Sequence, residues 1–300
     1  MIPIVFVALF FYGVVPLIGA WRVRRAWDRF REAALEAMVT PEADFSLLQA
    51  EHPLPPTRVK LSGTLEAFEG VDRLWIGNDR VSVAVSLRGV PVYFLDEQSE
   101  PFGIGVEPPR KAEASSLGAL PEGTQFLVTG SLARDNSGLV HFGSSPDQDL
   151  LVIAFEGSPA TVLARAVYSG RSVLDHWNSW TPVSLGLGFA LLLVLAYGEF
   201  RPDGARDVGL TGLALALLPS TFFLPPGILF FYGFARLWGR ARDQRARSDL
   251  ARARARGEAA EAREAGLQAP WCEALSQISL FFGVILNAGL LILVLRLWIP

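Results

Sequence analysis

The fold class of this chain is decided by a short alternating stretch, RVSVAVSL, at residues 80–87. Its larger apolar side chains recur at every second position: Val81, Val83, Val85 and Leu87. An extended chain places such side chains on one face, and the small or polar residues between them on the other. This period of two predicts a strand with one face on a core and the other in water.

Further strand signals surround this stretch and define a β-rich block at residues 57–157. Residues 59–65 alternate similarly, and short apolar runs occur at 74–76, 90–95, 125–132, 138–142 and 150–155. Turn-forming residues such as Gly77-Asn78-Asp79 separate the runs. Many short strands at close spacing predict a small antiparallel β barrel or sandwich, which we expect to fold by itself.

Four apolar segments flank this block, at residues 1–20, 181–198, 208–238 and 275–299. A membrane span needs ~20 apolar residues. The predicted fold class is therefore an α+β membrane protein, in which the β block is inserted between the first and second of four transmembrane helices.

The connecting segments have patterns of their own. Residues 21–56 combine an amphipathic helix with a proline-rich linker, and the helix either continues the first span, lies along the headgroups or packs against the β block. Residues 158–180 predict a helix that begins at Ser158-Pro159. Residues 239–270, rich in Arg, Ala and Glu, predict a solvated cytoplasmic helix that ends at Gly266–Pro270.

The third apolar segment contains Pro219, Pro225 and Pro226 and is long for a single span. We expect a kinked helix, and the alternative is two half-helices that meet at residues 224–227. Asn287 lies near the middle of the fourth segment, where an amide forms hydrogen bonds between helices. These three prolines and Asn287 are the candidate intramembrane polar or kink residues.

Arginine distribution predicts the orientation in the membrane. Arginines come directly after the first segment and form a dense run after the third, whereas residues 198–208 carry more acids than arginines. The positive-inside rule therefore places residues 21–180 and 236–273 in the cytoplasm and both termini outside.

The β block and the helix predicted after it resemble the GIDE (BAM) domain in the order of their motifs. The motifs are VPVYFLD at residues 90–96, GVEP at 105–108, PEGT at 121–124, a strand with Gly130, a turn at Gly138 and a helix from Pro159. That domain lies between two membrane helices in mitochondrial ubiquitin ligases, and bacterial membrane proteins carry relatives of it. The resemblance implies its fold and a membrane setting.

Two departures from that family limit what the resemblance implies. Its cysteine-and-tyrosine segment has no counterpart at residues 74–87, and one cysteine, Cys272, is too few for a zinc-binding RING domain. The resemblance therefore implies no ubiquitin transfer. The mitochondrial relatives place the domain in the intermembrane space, which corresponds to a periplasmic location, but the charge count favours the cytoplasmic side of a bacterial inner membrane.

The β block is acidic. Residues 40–180 contain 18 acidic and 10 basic side chains, a net charge of −8. This charge excludes nucleic acid as a ligand, because phosphate neutralisation needs a positive surface. Asp96, Glu97 and Glu100 are candidate interaction residues for other membrane or cytoplasmic proteins, in addition to membrane lipid.

The sequence contains no residue pattern for catalysis, metal binding or cofactor binding. His52, His141 and His176 share no ligand spacing, and Gly103-Ile104-Gly105 lacks the third glycine of a phosphate loop. We therefore expect a non-enzymatic scaffold or assembly component of an envelope-associated complex, without a cofactor. The alternative is a membrane enzyme or transport component with a site at the proline-broken third segment.

Overall fold

The computed structural model describes the chain except residues 44–57, 71, 79–80, 97–105, 113–116, 119, 135–138, 144–149, 201–203, 222–223, 255–258 and 299–300, and except the side chains of residues 254 and 259–263. The chain divides into two compact units. The helical unit comprises Met1–Ala26, Leu174–Gln244 and Gly266–Pro300. The β unit comprises Trp27–Val173 and Arg245–Ala265.

Within the described residues, the sheet of the β unit has eight strands: β1 Val59–Glu69, β2 Arg73–Gly77, β3 Ser82–Ser86, β4 Val92–Leu95, β5 Arg110–Ala112, β6 Gln125–Arg134, β7 Val140–Gly143 and β8 Leu151–Phe155. Strands β1, β2, β3, β7 and β6 pair in that order, and pairing of β6 with β1 closes them into a five-stranded barrel. Beyond β6 the sheet continues through β8 and β4 to β5. The predicted barrel is therefore confirmed.

The barrel is antiparallel, as expected, except where β3 pairs with β7 in parallel. Outside the barrel, β4 pairs with β8 in parallel. Parallel neighbours need long connections, and here other strands lie between the two partners in the sequence. Apolar alternation reveals which face of a strand is buried but not the direction of its neighbour. Without β8, β4 and β5, the five strands of the barrel have the Greek-key order of an OB-type barrel.

Two hydrophobic cores lie on opposite faces of this sheet. Val83, Val85 and Leu87 point into the barrel core, as the alternation predicts. All five residues of β8 are buried, because alternate side chains enter different cores. Val152 and Ala154 belong to the barrel core, whereas Leu151, Ile153 and Phe155 belong to the second one.

Helices cover the second core. These are the part of α2 (Val15–Val39) from Trp27 onward, α3 (Pro159–Ser172) and the end of α6 (Gly227–Arg254). Phe30 and Ala34 of α2 are buried there, so the amphipathic helix packs against the β block, one of the three predicted alternatives. Ala246 and Leu250 are buried in the same core. The prediction of a wholly solvated arginine-rich helix is therefore wrong, because these residues form a narrow apolar stripe at an i, i+4 spacing.

The helical unit contains α1 (Ile2–Leu9), a π-helical turn at Phe10–Val14, the start of α2, α4 (Trp180–Glu199), α5 (Arg206–Thr221), most of α6 and α7 (Ala259–Trp298) from Gly266. Within the described residues, three helical stretches are long and apolar enough to cross a membrane: Ile2–Val39, Trp180–Glu199 and Glu264–Trp298. These stretches overlap the first, second and fourth predicted segments and indicate a membrane protein.

Two helix boundaries differ from the prediction. Helix α5 ends at Thr221 and α6 begins at Gly227, so the third segment forms two helices, which was the alternative, and not one kinked helix. Helix α7 runs through Gly266 and Pro270, where the arginine-rich helix was predicted to end. A proline interrupts only the bonds of its own turn, so a long helix can continue beyond it.

Small residues allow the helices of the helical unit to approach one another closely. A Cβ atom added at Gly188 of α4 would lie 2.6 Å from the Tyr12 ring and 2.7 Å from the Phe11 Cβ. A Cβ added at Gly283 of α7 would lie 2.8 Å from Cβ of Phe230 in α6. Such contacts are the usual basis of helix association in membranes.

Candidate functional site

Asp96, the described member of the predicted acidic set, comes directly after β4 and is paired with Arg110 of β5. The guanidinium of Arg110 donates to both carboxylate oxygens of Asp96, at 2.5 Å for Oδ1. This hydrogen bond and the charge of Asp96 raise the pKa of Arg110. The Arg110 side chain is mostly exposed and that of Asp96 half-exposed. Glu97 and Glu100 lie outside the described residues.

Two further carboxylates lie near the same guanidinium. The charges of Glu107 and Glu156 also act on Arg110 and raise its pKa further. Glu156 is the first residue after β8, which is parallel to β4, so both strands bring their carboxyl ends to one edge of the sheet. We call Asp96, Glu107 and Glu156 the acidic edge.

A buried arginine holds the backbone of the acidic edge in place. Arg165 of α3 is 5% exposed, and its Nη1 donates to the carbonyl oxygen of Glu156 at 2.6 Å. Its Nη2 donates to the carbonyl oxygens of Asp96 at 2.5 Å and Leu95 at 3.4 Å. The ends of β4 and β8 are thus fixed beneath exposed carboxylates. The sequence signal for this role was a single arginine within an apolar helical run, at residues 162–168.

The chemistry of this edge is that of an anionic surface. Exposed carboxylates on a fixed backbone form charge-assisted hydrogen bonds with arginine or lysine side chains. Among the residues that the structure describes, no group of three His, Cys, Asp or Glu side chains is arranged to hold a metal ion.

The second predicted site is the break between α5 and α6. Asn287 of α7 is 4% exposed, and its Nδ2 donates to the carbonyl oxygen of Thr221 at 3.0 Å. A Cβ atom added at Gly227 would overlap the same Nδ2, so Asn287 occupies the space between the two helix ends. Pro225 and Pro226, joined by a cis peptide bond, lie in the connection between those ends. Pro219 lies inside α5, two residues before Thr221.

Backbone groups at the break are satisfied largely by the segment itself. The amide of Leu224 donates to the carbonyl of Thr221, and that of Ile228 donates to the carbonyl of Leu224. The amide of Leu229 donates to the carbonyl of Pro226. Asn287 adds a bond from another helix, because its side-chain amide N–H donates to the carbonyl of Thr221 at the end of α5.

Comparison with protein-family models, curated proteins and solved structures finds no match for this chain.

A third polar group of residues surrounds His176, in the connection between α3 and α4. Burial lowers the pKa of His176; the charge of Asp175 opposes this shift, and those of Arg24 and Arg242 add to it. Its ring lies 5.3 Å from that of Trp238, a residue 7% exposed. No sequence pattern predicts this contact, because its members are distant in the chain.

Proposed function

We propose that this chain is a bacterial inner-membrane protein that presents its β unit in the cytoplasm as a non-enzymatic interaction module. It would act as a scaffold or assembly component of an envelope-associated complex. The observation that carries this proposal is the acidic edge, where Arg165 fixes the backbone and Glu107 and Glu156 are exposed. Its partner would be a protein that offers a basic segment.

The composition of the β unit supports four membrane crossings. Trp27–Val173 and Arg245–Ala265 belong to this one compact unit, so both lie on the same side of the membrane. In the proposed topology α4 crosses once between them, and the chain crosses back before Arg245. The 16 residues of α5 extend about 24 Å, less than the ~30 Å hydrocarbon core. Together with the apolar start of α6 they are long enough to cross.

Contacts within the helical unit support the placement of both termini on one side of the membrane. Asp207 at the start of α5 and Arg296 near the end of α7 form an ion pair at 3.4 Å. A Cβ atom added at Gly212, near the start of α5, would lie 3.1 Å from both Ile4 and Ala196. The start of the chain, the α4–α5 connection and the end of α7 thus share one face. The arginine count assigns this face to the outside.

The likeness of the β unit to the GIDE domain is part of this proposal. It is supported by the strand at Val92–Leu95, the long strand that contains Gly130 and the helix that begins at Pro159. Because a fold alone does not determine activity, the proposed function rests on the acidic edge.

The alternative function, catalysis or transport at the broken third segment, would require polar groups there that are free to bind a substrate. The amide nitrogen of Asn287 is already bound to the carbonyl oxygen of Thr221. This contact favours the interpretation of the break as a fixed element of helix packing.

The test is recovery of partners by the tagged full-length protein from cells, after crosslinking and mild detergent extraction. Glu107→Lys with Glu156→Lys reverses the acidic edge, and we expect partner recovery to fall at least about tenfold, the effect of losing ~1.4 kcal/mol. Glu69→Lys with Asp72→Lys changes the net charge equally at the β1–β2 turn and is expected to leave recovery unchanged.

Asn287→Leu separates the two functions, because it alters the break and leaves the β unit intact. The proposal predicts normal partner recovery from this variant. If Asn287→Leu produced the same cellular defect as deletion of the gene, while partner recovery and protein level stayed normal, the functional site would be the break between α5 and α6 and not the acidic edge. If both charge reversals reduced partner recovery equally, binding would depend on the net charge of the β unit and not on the acidic edge.

A further inference from the structure

An apolar groove runs along the helical unit. The π-helical turn and the start of α2 lie on one side of it and α4 lies on the other. Its volume is about 420 Å³, within the range of ligand pockets. The lining residues are Phe11, Val15, Ser179, Trp180, Val183, Ser184 and Leu187. Val183 and Leu187 are more than half exposed on a helix that is long and apolar enough to span a membrane. The groove therefore opens toward the space that lipid tails occupy.

A π-helical turn at Phe10–Val14 forms one wall of the groove. The hydroxyl of Ser184 donates to the carbonyl oxygen of Phe11 at 2.5 Å and is buried. This hydroxyl is therefore committed to the wall, and the surface of the groove is mainly apolar. Turns of this kind occur frequently at functional positions within helices.

The polar end of the groove is the end that carries Ser179 and Trp180. Here the guanidinium of Arg22 lies 5.2 Å from the centre of the Trp180 ring. One turn further along α2, Arg25 lies 5.6 Å from the ring of Trp21. Tryptophan and arginine side chains together at the end of a span are typical of the headgroup level of a membrane. The groove thus combines an apolar body with a cationic end.

We propose that this groove binds one anionic glycerophospholipid, with an acyl chain along Val183 and Leu187 and its phosphate at Arg22. Charge complementarity selects this occupant. A free phosphate ion would gain nothing from the apolar body, and in a zwitterionic lipid the ammonium of the headgroup offsets the attraction between its phosphate and Arg22. Each buried methylene of the chain adds to the binding, and Arg22 supplies the preference for an anionic headgroup. This inference is independent of the acidic edge.

The experiment is native mass spectrometry of the full-length protein released from nanodiscs that contain phosphatidylcholine and phosphatidylglycerol. Val183→Trp fills the groove, and we expect retention of phosphatidylglycerol to fall at least about tenfold. Val194→Trp is the matched control, since Val194 lies on the same helix with a similar exposure, 67% against 62%, and outside the groove. This control is expected to retain the lipid. Leu187→Trp gives a second, independent way of filling the groove.

The headgroup is tested by Arg22→Gln, with Arg29→Gln as a control of equal charge further along α2. We expect Arg22→Gln alone to reduce the preference for phosphatidylglycerol over phosphatidylcholine about fivefold, the effect of one arginine at an anionic surface. The proposal is overturned if Val183→Trp and Val194→Trp retain lipid equally, which would indicate only exchangeable boundary lipid. It is also overturned if the wild-type protein is a dimer that Val183→Trp dissociates, because a second copy would then occupy the groove.

Discussion

The β unit is expected to fold only when its helical layer is present. The limits indicated by the sequence, residues 57–157, include the described barrel core except Ala43 but omit both Trp27–Val39 and α3. A fragment with those limits would expose five side chains that are at most 4% exposed in the structure: Leu95, Leu127, Leu151, Ile153 and Phe155. All five belong to the second core. We therefore expect residues 27–173, and not residues 57–157 alone, to form a unit that folds by itself.

The size of this effect is set by the area that the helices cover. Full burial of a large apolar side chain contributes about 1.5–3 kcal/mol, so five contribute roughly 8–15 kcal/mol as an upper estimate. The whole stability of a domain is about 5–15 kcal/mol. Fragment 57–157 is therefore expected to aggregate or unfold. Of the described residues of the second core, fragment 27–173 lacks Ala246 and Leu250, which contribute about 2–4 kcal/mol, and the fragment is expected to stay folded.

Two substitutions on β8 make the comparison specific. Ile153 faces the helices and Val152 faces the barrel, and both are fully buried. In fragment 27–173, Ile153→Asp and Val152→Asp each place a charge in a core and cost several kcal/mol. In fragment 57–157, Ile153→Asp lies on an uncovered face and is expected to increase solubility, whereas Val152→Asp is still damaging.

The assay is urea unfolding monitored by tryptophan fluorescence, together with the soluble fraction after expression. The midpoint of fragment 27–173 should fall with either substitution, and only Ile153→Asp should improve the yield of fragment 57–157. If fragment 57–157 unfolded with the same free energy as fragment 27–173, the second core would contribute nothing to stability and the reasoning would be refuted.

Three other properties of the full-length protein in detergent can be tested by single substitutions. Val83→Asp is expected to make the β unit sensitive to protease, because an unpaired charge in the barrel core costs several kcal/mol; Ser86→Asp, opposite Arg73 on β2, should stay resistant. Asn287→Leu should lower thermal stability by about 1 kcal/mol, and an unchanged melting temperature would contradict the capping of α5. Because the pKa of His176 is lowered from 6.5, the unfolded chain binds its proton more readily. Stability should therefore be highest above pH 6.5 and fall as the pH drops below it, and a His176→Gln variant with the same pH dependence of melting temperature would exclude this cause.

The barrel could be predicted from the sequence because its signal is local. The alternation of Val83 and Val85 is visible within a few residues, and it fixes the buried face wherever the partner strands lie. The second core also left a local signal, since the run LVIAF at residues 151–155 contains no polar residue. A strand without alternation is typical of burial on both faces. That signal predicts a covering layer but not which helices supply it.

The acidic edge could be predicted only in part, because parallel pairing brings together residues that are distant in the chain. Asp96 and Glu156 are 60 positions apart, and the pairing of β4 with β8 makes them neighbours. Nothing in the local pattern around Glu156 indicates this partner. Arg165 shows the same limit: an arginine in an apolar helical face predicts a buried polar contact, but the carbonyls that accept its hydrogen bonds come from two strands.

The break in the third segment shows why a local pattern leaves two structures open. A proline inside a helix costs ~3 kcal/mol whether the helix bends or ends, so Pro225 and Pro226 alone do not distinguish the two outcomes. Whether the helix bends or ends depends on which groups form hydrogen bonds with the backbone carbonyls that the prolines leave without an amide donor. Here the carbonyl of Thr221 accepts a hydrogen bond from Asn287, 66 residues further along the chain, and Gly227 leaves the space that this side chain occupies. The amide of Leu224 donates to the same carbonyl, and because a lipid environment offers no donor of its own, the second bond from α7 favours a complete end to α5. The polar residue and the prolines therefore form one structural element, and replacement of Asn287 should affect the end of α5 before it affects α7 itself.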